Sequence, residues 1–234
     1  TIGILEPNQL ITQPTQDLML DGVRIVFQMT PNSEAPAEMN IYFPRFKALC
    51  MAENATHVQH NVLTLRGALV RDSKAWADYL TESIHLYGER TDVMFVSHGW
   101  PRWGTEEVAT FMANHRDAYK YLHDQSVRLM NKGYTAEEIA EVIALPDSLA
   151  SKWYNRGYYG TMAHNSKAVY QRYLGWYDAV PQALRESLLE PIARTSLMTN
   201  VPFLKLIRIS SFFLAFFGTK LETRNCFIKS STNW

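Results

Sequence analysis

Residues 72–88 of the sequence read Asp-Ser-Lys-Ala-Trp-Ala-Asp-Tyr-Leu-Thr-Glu-Ser-Ile-His-Leu-Tyr-Gly. Large side chains recur here at the three- and four-residue spacing of a helix with one buried face: Trp76, Tyr79, Leu80, Ile84 and Tyr87. Asp72 and Ser73 are candidate caps for its start, and Gly88 is a stop signal. Short apolar runs at 49–52 and 93–96 flank the helix and have the length of buried strands. The pattern predicts strand, helix, strand, and therefore an α/β fold.

Toward the N-terminus, Asp21-Gly22 separates two apolar runs, 18–20 and 23–27, which predicts a β-hairpin. Beyond His98 the pattern becomes helical. A long amphipathic series begins at Thr105 and stops at Gly133.

Several capping signals organise the residues that follow. Thr135 with Glu138 forms a capping box for a short helix. Pro146 ends that helix, Asp147 is a candidate cap for the next one, and residues 163–177 supply a further aromatic-rich helical face. We therefore divide the chain into a mixed portion, 1–104, a helical portion, 105–181, and a tail, 182–234, without clear structural signals.

Composition bounds the classes of function. The 234 residues contain 23 Lys plus Arg and 23 Asp plus Glu, so no overall charge attracts nucleic acid or an anionic membrane. The apolar stretch 201–217 is short for a bilayer span and contains Lys205 and Arg208, so no transmembrane segment is expected. Cys50 and Cys226 match no metal or redox spacing and are interpreted as structural. No signal peptide is visible, and the sequence indicates no cellular location.

Chemically capable residues concentrate between Asn32 and Trp103. They lie in Asn32-Ser-Glu34, in Cys50-Met-Ala-Glu53-Asn-Ala-Thr-His57-Val-Gln-His60-Asn61, in Leu65-Arg66-Gly67 and in Val96-Ser-His98-Gly-Trp100. This set resembles the alkylsulfatases of the metallo-β-lactamase superfamily, which hydrolyse dodecyl sulfate and related esters. The resemblance covers roughly residues 20–180.

The resemblance implies a fold and a ligand set. The fold would be the C-terminal half of a metallo-β-lactamase αββα sandwich, followed by an all-α dimerisation domain that makes the protein a homodimer. Glu34, Glu53 and His98 match positions that bind two zinc ions, with Glu53 bridging them and holding the activated water. Asn61 and Arg66 match positions that hold the sulfate group of an alkyl sulfate substrate. The implied reaction is hydrolysis to an alcohol and inorganic sulfate.

The chain also departs from the family pattern. The family's principal metal motif, His-x-His-x-Asp-His, does not occur in these 234 residues, and in relatives it precedes everything present here. Because a catalytic zinc needs about three protein ligands, we expect the isolated chain to be incomplete for catalysis. We also expect it to expose sheet edges and apolar surface.

Less specific interpretations compete with these assignments. A lone glutamate in a proline-containing loop is usually a solvated carboxylate, and a lone arginine is usually a salt-bridge partner. His57 and His60 are interpreted as support or packing for the site, because the family pattern gives the ligand role to Glu53 beside them. The glycosylation sequon at Asn54 is discounted, and the aromatic series after Tyr119 is assigned to core and subunit contacts.

Two other classes of function remain as alternatives. The chain could be a non-catalytic dimerisation or interaction module. Residues 134–153 also have the rhythm of a helix-turn-helix. Its second helix, however, has Lys152 as its one cation and no Asn, Gln or Arg to read bases, so nucleic-acid binding is not expected.

Overall fold

Six strands form one mixed sheet in the computed structural model of the protein, which describes residues 7–175. They are β1 (Thr15–Leu20), β2 (Val23–Met29), β3 (Met39–Phe43), β4 (Ala48–Cys50), β5 (Val93–Phe95) and β6 (Arg102–Trp103). The strands lie side by side in chain order, and all neighbours are antiparallel except β4 and β5. The predicted hairpin is confirmed, and positive φ angles at Asp21 and Gly22 give its turn the twist that a two-residue hairpin requires.

Five α-helices accompany the sheet in the described residues. They are α1 (Ser73–Tyr87), α2 (Thr105–Met130), α3 (Ala136–Val142), α4 (Asp147–Ala150) and α5 (Met162–Leu174). Helix α1 connects the parallel strands β4 and β5, which confirms the predicted strand, helix, strand unit. The Asp72 carboxylate caps α1 by accepting hydrogen bonds from the backbone amides of Lys74 and Ala75, both at 3.0 Å.

The predicted capping signals in the helical portion can be compared with the structure one by one. The Thr135 and Glu138 capping box is present at the start of α3. Asp147 was predicted to cap α4, and this prediction is wrong. Asp147 is the first residue of the helix, and Pro146 occupies the cap position. The predicted helix 163–177 corresponds to α5, and its last residues, like the tail 182–234, lie outside the described residues.

Helix α2 takes part in two apolar clusters. Its first half contributes Phe111 and Met112 to a cluster with Trp76 of α1 and with Leu49 and Met94 of the sheet. Its second half contributes Leu122 and Leu129 to another cluster with α3, α5 and Val62. The first cluster thus contains residues from both the mixed portion and the helical portion of the chain. The domain boundary at residue 104 therefore stays a prediction.

The segment with a helix-turn-helix rhythm folds into α3 and the four-residue α4. One helical turn is too short to act as a recognition helix in a DNA groove. No helix within residues 7–175 has the length and apolar character needed to cross a membrane.

Candidate metal centre

Strand direction brings the predicted ligands to one edge of the sheet. Strands β2 and β4 are both antiparallel to β3, and β5 is parallel to β4, so all three run in the same direction. Glu34 follows β2, Glu53 follows β4 and His98 follows β5. The three side chains, far apart in sequence, therefore lie in loops at a common edge.

Unusual backbone conformations accompany each of these loops. Asn32 and Ala52 have φ angles of 64° and 45°, and Gly99, directly after His98, has a φ of 124°. A left-handed conformation is uncommon for residues with a side chain and persists where the surrounding structure enforces it. At Ala52 it turns the chain immediately after β4, at the residue that precedes Glu53.

Glu53 lies between two imidazole rings. Its Oε2 is 3.0 Å from Nε2 of His60, and its Oε1 is 3.3 Å from Nε2 of His98. One ligand atom each from Glu34, Glu53 and His60 lies within 4.8 Å of the others. His60, interpreted from the sequence as a supporting residue, thus belongs to the closest cluster, whereas the His98 side chain stays 71% exposed at its rim.

Arg71 is a buried arginine whose contribution the sequence analysis missed. Its guanidinium forms an ion pair with the Glu34 carboxylate and also donates to the Glu34 backbone carbonyl. It donates as well to the side-chain oxygen of Asn61 and, at 3.0 Å, to the Asn61 carbonyl. A planar group with five donors can hold several acceptors at once, so the buried Arg71 side chain fixes the orientation of the Glu34 carboxylate.

The ring of His60 is also held in one orientation. Its Nδ1 lies 3.0 Å from the carbonyl oxygen of Asn61 and 3.3 Å from Nη1 of Arg71. With a metal ion between His60 and Glu53, a ring that donates from Nδ1 to this carbonyl would present Nε2 to the ion. Imidazole ligands of metals are commonly oriented by such a backbone contact.

The two predicted sulfate-binding residues occupy different places. Arg66 is exposed and lines a cavity of about 420 Å³ whose wall also includes Glu34, Glu53, His60, His98 and Tyr159. Asn61 is buried, and its side-chain oxygen accepts a hydrogen bond from Arg71. The structure therefore places Arg66 beside the predicted ligands and Asn61 in the layer that supports them.

Comparisons with known proteins show which family of enzymes this chain is similar to. The family described as alkyl sulfatase dimerisation matches residues 135–199. Alkyl/aryl-sulfatase BDS1 of Saccharomyces cerevisiae is 47% identical over 193 residues, which cover 82% of this chain and 30% of that protein. The (R)-specific secondary-alkylsulfatase of a Pseudomonas species is 52% identical over 185 residues, which cover 79% of this chain and 28% of that protein. The chain is homologous to the alkylsulfatases.

A solved structure extends the similarity to the fold. The stereoselective inverting sec-alkylsulfatase Pisa1 from a Pseudomonas species aligns with a TM-score of 0.75 and 51% sequence identity, over 76% of this chain and 28% of that one. The chain thus spans about three-tenths of the length of the alkylsulfatases that it matches.

The charged groups around the cavity favour the binding of a cation there. Glu38 lies next to Glu34, and burial, reinforced by the nearby Glu34 carboxylate, raises the pKa of Glu38 to about 7. Three carboxyl groups, those of Glu34, Glu38 and Glu53, are gathered here over one buried guanidinium. Carboxylate oxygens combined with imidazole nitrogens form a donor set that suits zinc. The residues present therefore fit a divalent metal ion.

His57 supports the loop that carries His98. Its buried ring is stacked with Trp153, with ring centroids 5.6 Å apart, and its Nδ1 lies 3.4 Å from the His98 carbonyl oxygen. A Cβ atom at Gly99 would lie 2.0 Å from the same Nδ1, so a side chain at position 99 would collide with the ring. His57 thus packs beneath the site.

Asn54 anchors the turn that carries Glu53. Its side chain donates to the Thr30 hydroxyl at 3.0 Å and to Oδ1 of Asn40 at 2.8 Å, and its backbone carbonyl accepts from the Trp76 indole at 2.9 Å. Because Asn54 is buried, the folded chain has no room for a glycan at this sequon.

Proposed function

We propose that the chain carries part of the active site of an enzyme that hydrolyses alkyl sulfate esters to an alcohol and inorganic sulfate, with zinc as its metal. The observation that carries the proposal is the convergence of Glu34, Glu53, His60 and His98 on a cavity that Arg66 also lines. Homology to alkylsulfatases supplies the reaction class.

Each site residue has a distinct role in this proposal. Glu34, Glu53 and His98 would hold zinc, and His60 offers a further nitrogen toward the same position. Bound zinc would lower the pKa of a coordinated water and so supply a nucleophile near neutral pH. Glu53 is suited to a central position because each of its two oxygens faces a different imidazole.

Sulfate recognition falls mainly to Arg66. Its exposed guanidinium can present a planar pair of donors to two sulfate oxygens and stabilise the charge of the departing group. Asn61, buried in the supporting layer, accepts from Arg71 through its side-chain oxygen, so a direct contact with the anion would have to use its amide nitrogen. Arg71 acts indirectly by keeping Glu34 oriented.

The match of residues 135–199 to the dimerisation family supports a homodimer as the assembled form. A second candidate function is a dimerisation module without catalytic activity of its own. It is supported by the same family match and by the fact that the chain spans only about three-tenths of the length of its relatives. Metal binding separates the two candidates, because a pure module has no need of zinc.

The test combines zinc analysis of this chain with sulfate release from dodecyl sulfate by the complete enzyme that contains it, because the isolated chain is expected to be incomplete for catalysis. We expect the wild type to retain zinc through gel filtration, and Glu53→Ala and His98→Ala to lose most of it. Glu141→Ala, at an exposed glutamate in α3, is the matched control and should keep its zinc. A stable dimer that binds no zinc would favour the module.

Arg66→Ala tests the sulfate-binding role separately. In the complete enzyme that contains this chain, zinc content should remain at the wild-type level, while sulfate release falls by about 10² to 10³, the usual cost of removing one donor that stabilises developing charge. Loss of zinc in Arg66→Ala equal to that in Glu53→Ala would refute the assignment.

A further inference from the structure

The loop 59–63, which carries His60 and Asn61, is bonded to the segment matched by the dimerisation family. The backbone amide of Gln59 donates to the carbonyl of Arg156 at 3.2 Å, and the amide of Gly160 donates to the carbonyl of Gln59 at 2.8 Å. This pair of backbone hydrogen bonds joins the two segments directly beside His60.

Asn165 of α5 extends the connection from a fully buried position. Its side-chain oxygen accepts from the Val62 amide at 2.9 Å, and its side-chain nitrogen donates to the His60 carbonyl at 2.9 Å. Both ends of the amide are thus used to hold the loop on either side of Asn61. Removing such a side chain leaves a buried donor and a buried acceptor without partners.

Gly160 permits a close approach between the two segments. A Cβ atom at this position would lie 2.3 Å from the His60 carbonyl oxygen and 2.7 Å from the Asn61 nitrogen. Because both atoms belong to the backbone, a larger residue would have to displace the loop itself. Nearby, the buried Val62 packs in one apolar cluster with Ala168 and Val169 of α5.

We propose that Asn165 and Gly160 are positioning residues for the metal centre, fixing the loop 59–63 so that His60 faces Glu53. A displacement of the dimerisation segment would then also displace the loop that carries His60. The inference rests on the proposed role of this site in metal binding. By thermodynamic linkage, metal binding at the site should in turn stabilise α5 against local opening.

Hydrogen exchange of the metal-free chain tests the contact itself. In Asn165→Ala, amides of residues 59–63 should exchange roughly tenfold faster than in the wild type, because two buried hydrogen bonds are lost, while β2 and β3 keep their rates. Ser166→Ala is the matched control, since Ser166 is equally buried in α5 but donates to Ala163 within its own helix, at 3.0 Å. Equal exchange of the loop in the two variants would overturn the inference.

Metal titration tests the positioning role. Asn165→Ala and Gly160→Ala should bind Co²⁺ about 10- to 100-fold more weakly and with altered visible absorption bands, the usual range for residues that orient a metal ligand, whereas Ser166→Ala should match the wild type. A mobile loop with unchanged Co²⁺ affinity and spectrum would reduce Asn165 to a structural residue and overturn the proposal.

Two further outcomes are also decisive. If the wild type binds no metal, the proposed function and the positioning role both fail. The hydrogen-exchange measurement then still shows whether Asn165 holds the loop 59–63 in place. If Asn165→Ala does not fold, His164→Leu takes its place, because it removes only the contact of His164 with the Leu63 carbonyl, 2.8 Å away. His164→Leu should show the same changes at smaller size, and wild-type values for both loop exchange and Co²⁺ binding would contradict the proposal.

Discussion

The two faces of the sheet are made from alternate residues of the same strands, yet they are buried to different extents. On one face, Val26, Tyr42, Leu49 and Met94 pair in register across four strands, and this row packs against α1 and α2. On the other, Phe27, Ile41, Cys50 and Phe95 form an equivalent row that is only half-buried. Because their burial differs, we expect these equally apolar rows of one sheet to contribute very differently to stability.

The largest expected effect is on the helix-covered face. Trp76→Ala should lower the free energy of unfolding by about 3–5 kcal/mol, because it removes a fully buried indole and leaves a cavity. The indole is stacked on Tyr119 with centroids 4.4 Å apart, and it donates to the Asn54 carbonyl at 2.9 Å. Urea unfolding measures the change, and a loss below about 1 kcal/mol would show that this face is not tightly packed.

The second effect is a pH dependence that arises on the same side. Burial lowers the pKa of His115 in α2 from 6.5 to about 4. Between these values the unfolded chain binds more protons than the folded chain, so stability rises with pH through this window and is lost as the pH falls. The expected loss of stability at pH 4 is about 3 kcal/mol, at 1.36 kcal/mol for each pKa unit.

Urea unfolding at several pH values between 4 and 7 checks the His115 prediction. His115→Gln should remove this part of the pH dependence, whereas His85→Gln, at an exposed position of α1, should leave it in place. If the profiles of His115→Gln and the wild type run parallel, the ring is not the group responsible.

A smaller effect is expected on the half-buried face. Phe27→Ala should cost only about 1 kcal/mol, since the ring is already partly in contact with solvent, and it should reduce self-association of the chain. Sedimentation velocity and urea unfolding of the same samples give both quantities. A cost as large as that of Trp76→Ala would break the comparison, because it would mean that this face is covered in solution.

The smallest effect lies away from both faces and provides a baseline. Thr135→Ala should lower stability by about 1 kcal/mol or less, because the Thr135 hydroxyl caps an exposed helix end by accepting from the Glu138 amide at 3.3 Å. Thermal unfolding of this variant should show a small shift without any change in metal binding. A change in zinc content would show that α3 is coupled to the site.

The candidate site was only partly predictable from the sequence. Glu34, Glu53 and His98 came from resemblance to a family, and strand direction then explains why they share one edge of the sheet. Arg71 was missed because a lone arginine before a helix carries no distinguishing pattern, and its partner Glu34 lies 37 residues away. From the sequence, His60 is interpreted as a supporting residue because the family pattern assigns the ligand role to Glu53 nearby. The structure brings a ring nitrogen of His60 close to the carboxylates of Glu34 and Glu53.

The sequence by itself determined the local elements of this protein: the hairpin at Asp21-Gly22, the cap at Asp72 and the capping box at Thr135. Each depends on hydrogen bonds or φ angles within a few residues, so neighbouring side chains encode it. Tertiary structure alone decided which sheet face α1 and α2 cover and which distant groups meet at the site, such as Asn165 and the carbonyl of His60, 105 residues apart. Such contacts depend on strand register and helix packing, which arise only when the whole chain has folded.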